Sequence, residues 1–256
     1  MPVHPAGASH IIDTGFRPAR DGFAFPNWAG LNQDDALSAR HMLQLLRENG
    51  KCSTTIVGTY CDLRSGYRVT LDHLNEHLSA GRCEGMALLA ARLFRRSTKL
   101  VHVSRTARTT HDLSRTEAAD EIAYWWATQL APNVQLYSAS RRTMRPGDLV
   151  TEITRKMQSR VMVTLGIYSG DIAHTVLVTK ATILSGRTVL AVYDPNFPGR
   201  TKNLVVNRFT DSWTYRGALA PDGTLVDLWG KGAGGLDYAP VSLRAHLSGW
   251  DRLGAF

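Results

Sequence analysis

Gly81-Arg82-Cys83-Glu84-Gly85-Met86 is the stretch on which the fold reading turns. Gly81 can end one helix and free the backbone to turn. An apolar series follows at once, with Met86, Ala87, Ala90, Leu93 and Phe94 forming a wide face, so a second helix is expected from near Cys83 to about Arg96. Gly85, Ala87 and Ala91 permit close packing, which places this helix at the centre of the molecule. Cys83 then occupies its first turn. Unpaired backbone N–H groups and the positive end of the helix dipole stabilise a thiolate there, and the Cys83 N–H itself can serve as one donor of an oxyanion hole. The competing reading is a small buried cysteine that merely packs a helix start. Glu84 reads as a first-turn acid complementing the dipole.

Working outward, the residues on either side divide into a helical half and a sheet half. Residues 1–30 carry Pro, Gly and aromatic residues (Phe16, Phe23, Phe25, Trp28) and read as an extended arm packed on the body by its rings. A helix is expected from Asp34 or Asp35 to Glu48, stopped by Asn49-Gly50, with Leu37, Met42, Leu45 and Leu46 on its apolar face. A short helix capped by Thr70 or Asp72 reaches Ala80. Ser114-Arg115-Thr116-Glu117 is a capping box before a helix over Ala118–Leu130 ending at Pro132, and a further helix covers Asp148–Gln158. From Val161 the composition turns β-branched and aromatic. Val161–Ile167, His174–Ile183, Thr188–Tyr193, Asn203–Phe209 and Trp213–Tyr215 read as strands, with Ser185-Gly186 a hairpin turn. Gly230–Gly235 reads as a mobile loop. The expectation is one α+β domain: arm 1–30, mainly helical half 34–160, antiparallel sheet half 161–230 and C-terminal tail 231–256.

Two residues in the sheet half can complete a catalytic group around Cys83. His174 opens an apolar strand, and Asp194 closes the next one, just before Pro195. A hairpin joins these strands, so the end of one lies beside the start of the other, and the two side chains are expected to be neighbours. A thiol, an imidazole and a carboxylate in that relation make a nucleophile, its base and an orienting acid. Each has a plainer reading as well, His174 as an edge histidine and Asp194-Pro195-Asn196 as ordinary turn chemistry.

A Cys at the start of a central helix, a His before an apolar strand (His174-Thr175-Val176-Leu177-Val178) and a strand ending in Asp-Pro (Val192-Tyr193-Asp194-Pro195-Asn196) resemble the papain-like cysteine peptidase superfamily. The nearest likeness is to bacterial peptidase domains that trim double-glycine leader peptides and to papain-like domains of unassigned role. The resemblance spans roughly residues 70–200. It implies a papain-like fold, with a Cys-bearing central helix packed on an antiparallel sheet. It also implies Cys83 as nucleophile, His174 as base and Asp194 as orienter in a peptidase hydrolysing peptide or isopeptide bonds, with no cofactor. Such enzymes place a Gln a few residues before the Cys as second oxyanion donor. None precedes Cys83 nearby, leaving Asn75 or His77 for that role. A deamidase or transglutaminase-like effector shares the same residue order, as does a papain-like shell that binds a protein partner without turnover. A rival in another class is His73-Leu74-Asn75-Glu76-His77, an H-x-x-E-H zinc-peptidase pattern that Glu152 or another distant acid would have to complete.

The totals bound these readings. With 256 residues, 43% hydrophobic and 20% charged, the chain can bury a full core. The net charge of +8 and basic clusters such as Arg92, Arg95, Arg96 and Lys99 favour an acidic partner surface. Aromatics are not interleaved with those clusters, which argues against nucleic acid. No apolar run approaches the ~18 residues of a membrane span, and no apolar signal-peptide core follows Met1. The expected setting is therefore cytoplasmic, or delivery by a non-classical route. Three cysteines leave a Cys52–Cys61 bridge open, with Cys83 the free thiol.

Overall fold

The Ser185-Gly186 hairpin sits at the middle of a curled antiparallel sheet. The computed structural model describes residues 9–46 and 65–247. Cys52 and Cys61 lie outside the described residues, as does the expected helix end at Glu48. The strands are β1 (His10–Asp13), β2 (Val163–Ser169), β3 (Ile172–Leu184), β4 (Arg187–Tyr193), β5 (Thr201–Asn207), β6 (Ser212–Leu219), β7 (Leu225–Lys231) and β8 (Leu236–Pro240). They run in the order β7-β6-β5-β4-β3-β2-β8, and β1 from the N-terminal arm adds to β3.

Helices precede the sheet, as expected: α1 (Pro18–Asp21), α2 (Ala39–Leu46), α3 (Ser65–Ser79), α4 (Cys83–Phe94), α5 (Arg115–Ala127), α6 (Pro132–Arg142) and α7 (Pro146–Gln158). The capping box before α5 forms in full: Ser114 Oγ accepts from the Glu117 N–H at 3.3 Å, and Glu117 Oε2 accepts from the Ser114 N–H at 3.0 Å. The Ser104 hydroxyl, the Ser114 hydroxyl and the Ser114 N–H, three donors in all, pull the Glu117 carboxyl down to about 2.

Four expectations need correction. The helix expected from Asp34 or Asp35 starts only at Ala39. Asp35 instead closes a 3₁₀ turn over Gln33–Asp35 and accepts bonds from Asn32 N, Trp28 Nε1 and Arg82, which bind it to the arm. The next helix starts at Ser65, ahead of Thr70 and Asp72. Gly66 is tolerated within it at a cost of about 1 kcal/mol. Pro132 does not simply terminate α5: it occupies the first turn of α6, where a missing N–H costs nothing. Finally, Gly230–Gly235 is not a free loop and the residues after it are not a tail. Gly230 and Lys231 belong to β7, and β8 pairs along β2 from Val163↔Pro240 to Ile167↔Leu236.

The middle of the sheet, β2 to β4, is covered on both faces, which is why β3 and β4 read as continuous apolar runs, whereas β5 to β7 alternate buried with exposed residues. Val176, Val178, Leu190 and Val192 pack with Leu149, Ile153 and Met157 of α7. Leu177 and Tyr193, of opposite parity, pack with α4, with Tyr124 and Trp125 of α5, and with Phe16 and Phe23 of the arm. α4 is buried from Glu84 to Leu93. Its approach to α5 requires a glycine: a Cβ at Gly85 would stand 2.1 Å from Ile122 O and 2.9 Å from Trp126 Cβ. Gly85→Ala should therefore lower stability by about 1–3 kcal/mol, read as a lower urea midpoint with an unchanged slope.

Candidate active site

Gly81 takes φ +150°, a conformation that disfavours a side chain, and its N–H closes α3 on Leu78 O at 3.1 Å. Two residues later α4 begins at Cys83, with its thiol half-buried and free. The sulfur accepts the Thr175 N–H of β3 at 3.4 Å, which sets the first turn of α4 beside the start of that strand.

Thr175 follows His174, and the hairpin does the rest. Leu177 pairs with Tyr193, so Asp194 falls one step past the last paired residue of β4, level with the opening of β3. His174 Nε2 donates to Asp194 Oδ1 at 2.7 Å. That bond leaves Nδ1 as the ring nitrogen for a second partner, and Cys83 is near enough to interact with the ring. The structure thus brings Cys83, His174 and Asp194 together.

The electrostatics follow from burial and charge. His174 is buried, and burial alone would favour the neutral ring. The Asp194 carboxylate and then Cys83 outweigh it, so the His174 pKa stands well above the ordinary histidine value. Burial would likewise raise Asp194, but His174, the Tyr215 hydroxyl and the Asn196 N–H hold the carboxyl below its usual range. Asn196 N donates to Asp194 Oδ1 at 2.8 Å, and the Tyr215 hydroxyl donates to Asp194 Oδ2. The Asp-Pro-Asn turn and the acid are one device, because the turn supplies a donor to the carboxylate that orients the ring.

No protein-family profile, curated protein or solved structure matches this chain. The reading of the site therefore stands on its geometry.

Of the two residues expected to donate to an oxyanion, Asn75 is committed to another partner. Asn75 engages both ends of its carboxamide on Leu37, accepting from its N–H at 2.8 Å and donating to its carbonyl at 3.1 Å. His77 lies on the exposed side of α3. The zinc-type pattern is also a surface feature: His73 and Glu76 are 69% and 77% exposed. Glu152, the acid suggested to complete it, is bonded to Tyr238 and Arg141. Among the described residues no group of three metal-ligating side chains converges.

Sequence reasoning missed Asn27 and Tyr215. Asn27 lies in the arm, and its Oδ1 accepts the N–H of Arg82, the residue before Cys83, at 2.7 Å. Its Nδ2 donates to Asn196 Oδ1 at 3.1 Å, and its own N–H donates to Pro195 O at 2.8 Å. One side chain therefore ties the loop before Cys83 to the loop after Asp194. Beneath it Arg82 is fully buried, stacked over Trp28 at 4.5 Å and bonded to Trp28 O, Gly30 O and Asp35. Arg92 is also buried, bonded to Thr98 and Ser97 and stacked on Trp125. That removes two arginines from the basic surface that composition suggested.

The charged His174–Asp194 pair gives stability a defined pH window. Asp194, with its folded pKa lowered, contributes fully above the ordinary carboxylate value and loses the contribution as pH falls through the folded value. His174, with its folded pKa raised, contributes fully below the ordinary histidine value and loses it as pH rises through the folded value. The pair is thus fully effective between about pH 4 and 6.5. Tyr215→Phe removes a donor to a buried carboxylate and should cost about 1.5–3 kcal/mol. It should also move the acid edge of the window upward in urea titrations run across pH. An unmoved acid edge would show that Tyr215 does not hold the carboxylate.

Proposed function

We propose that this chain is a thiol-dependent acyl-transfer enzyme of papain-like build, a cysteine peptidase acting on amide bonds of a protein or peptide substrate. One observation carries the reading: a buried imidazole held by a carboxylate at 2.7 Å on one nitrogen, with a half-buried thiol at a helix start near enough to interact with it. In this mechanism His174 takes the Cys83 proton and the thiolate attacks the amide carbonyl. The Cys83 N–H, an orphan donor of the first helical turn, faces the developing oxyanion. The His174 imidazolium then protonates the leaving amine, and water, deprotonated by His174, releases the acyl group from sulfur. Asp194 keeps the ring in register and stabilises its charged form. The likeness in residue order to papain-like peptidases supports the same assignment.

The test is hydrolysis of a peptide library by wild type and by Cys83→Ala, with products read by mass spectrometry. Cleavage by wild type alone supports a peptidase. Conversion of Gln to Glu without chain cleavage would move the assignment to a deamidase. Absence of both, together with slow iodoacetamide labelling of Cys83, would leave a binding module.

A further inference from the structure

A cavity of about 290 Å³ opens beside the nucleophile, walled by Glu84 and Thr175 on the side of Cys83 and by Arg142, Tyr168, Asp237 and Arg244 around it. Its position is set by the chain: Glu84 follows Cys83 on α4, and the Thr175 N–H is the one that meets the Cys83 sulfur. The charges are arranged in pairs. Glu84 is ion-paired with Arg244, and both are more than nine-tenths buried. Asp237, also buried, accepts from Arg142 Nε at 3.1 Å and Nη2 at 2.6 Å, and Arg142 lies 3.8 Å over the Tyr168 ring. Glu84 is thus more than the first-turn acid expected from sequence, because it reaches across to the segment after β8.

Two acids and two arginines leave the cavity with no net charge. A fully charged guest would enter a low-dielectric space with no countercharge left for it, a cost of several kcal/mol for a buried ion. Polar capacity nonetheless remains. Arg244 Nε is buried without a hydrogen-bond partner among the described residues. An unmet buried donor of that kind is costly unless a ligand satisfies it. The matching group is neutral and carries an acceptor for the arginine and donors for a carboxylate. A primary carboxamide has both, on one planar end.

We propose that this cavity is the specificity pocket of the site and takes the uncharged carboxamide side chain of a glutamine or asparagine flanking the scissile bond. The assignment rests on Cys83 being the nucleophile. Burial pushes the Asp237 carboxyl up against the pull of Arg142.

The test uses three tripeptide vinyl sulfones differing only in the residue next to the warhead: Gln, Glu or Lys. The second-order rate of Cys83 labelling is followed by intact mass. The Gln probe should react about tenfold faster than either charged probe. In Glu84→Gln, Arg244 loses its countercharge, and the preference should swing to the Glu probe. Iodoacetamide, too small to need the pocket, reports the thiol chemistry separately. If it labels wild type no faster than His174→Ala, the enzyme reading itself falls. If it labels wild type faster while the three probes react alike, or a charged probe leads, the pocket assignment is overturned. Should Glu84→Gln fail to fold, the wild-type ranking decides alone.

Discussion

His174→Ala should lower the rate of Cys83 acylation by about 10²–10⁴-fold, the range for losing a positioned general base. The ring is the only described group bonded to Asp194 Oδ1 that also interacts with Cys83, so no neighbour takes over its proton transfer. Asp194→Ala should fall in the same direction, because the ring then loses the bond that fixes Nε2 and leaves Nδ1 for the thiol. The double variant should be little worse than His174→Ala alone, since residues acting as a unit are not additive. Burst kinetics with a thiol-reactive substrate analogue measure all three, and far-UV circular dichroism checks that each variant folds. A His174→Ala protein that acylates as fast as wild type would refute the base assignment.

Asp35→Ala should lower stability by about 3–5 kcal/mol, the cost of leaving a buried cation without its partner. Arg82 is wholly buried, with Asp35 Oδ1 at 3.0 Å as its counterion. Burial already draws the guanidinium below the ordinary arginine range, and Asp35 opposes that shift. The second Asp35 oxygen accepts from Trp28 Nε1 at 3.1 Å, so the loss also loosens the arm from which Asn27 holds the Arg82 N–H. Urea unfolding gives the stability change. A parallel drop in Cys83 alkylation rate would show the damage reaching the site. Asp35→Ala unfolding at the wild-type midpoint would mean that Arg82 finds its charge balance elsewhere.

These two predictions differ in how far the sequence foreshadowed them. The neighbourhood of His174 and Asp194 was legible because a hairpin is a local object: Ser185-Gly186 starts the pairing of β3 with β4, although the bulge between Val178 and Lys180 that shifts the register to Leu177↔Tyr193, ahead of the His174–Asp194 bond, had no signal in the sequence. The helix start at Cys83 was legible for the same reason, since turn and apolar series are contiguous in the chain. The capping box before α5 needed only four residues. Asn27 had no such signal. It acts on Arg82 across 55 residues and on Asn196 across 169, and a lone asparagine among aromatic residues carries no periodicity to point that far. β7 and β8 were hidden because the glycines between them mask strand character, and Leu236-Asp237-Tyr238-Ala239-Pro240 has few β-branched residues to announce itself. The α6 helix was hidden by Pro132, which can stop one helix or open the next.

The distance in sequence between Cys83 and the residues gathered around it implies an order of events. During synthesis the thiol leaves the ribosome long before residues 174, 194 and 215, which supply the proposed base, the carboxylate bonded to it and the hydroxyl that donates to that carboxylate. Contacts that distant in sequence form late. The nascent protein therefore carries an unarmed cysteine through most of its translation. On the proposed mechanism, reactivity at Cys83 switches on only when β3, β4 and β6 have brought His174, Asp194 and Tyr215 into place, so a fragment released early would carry a thiol without its base.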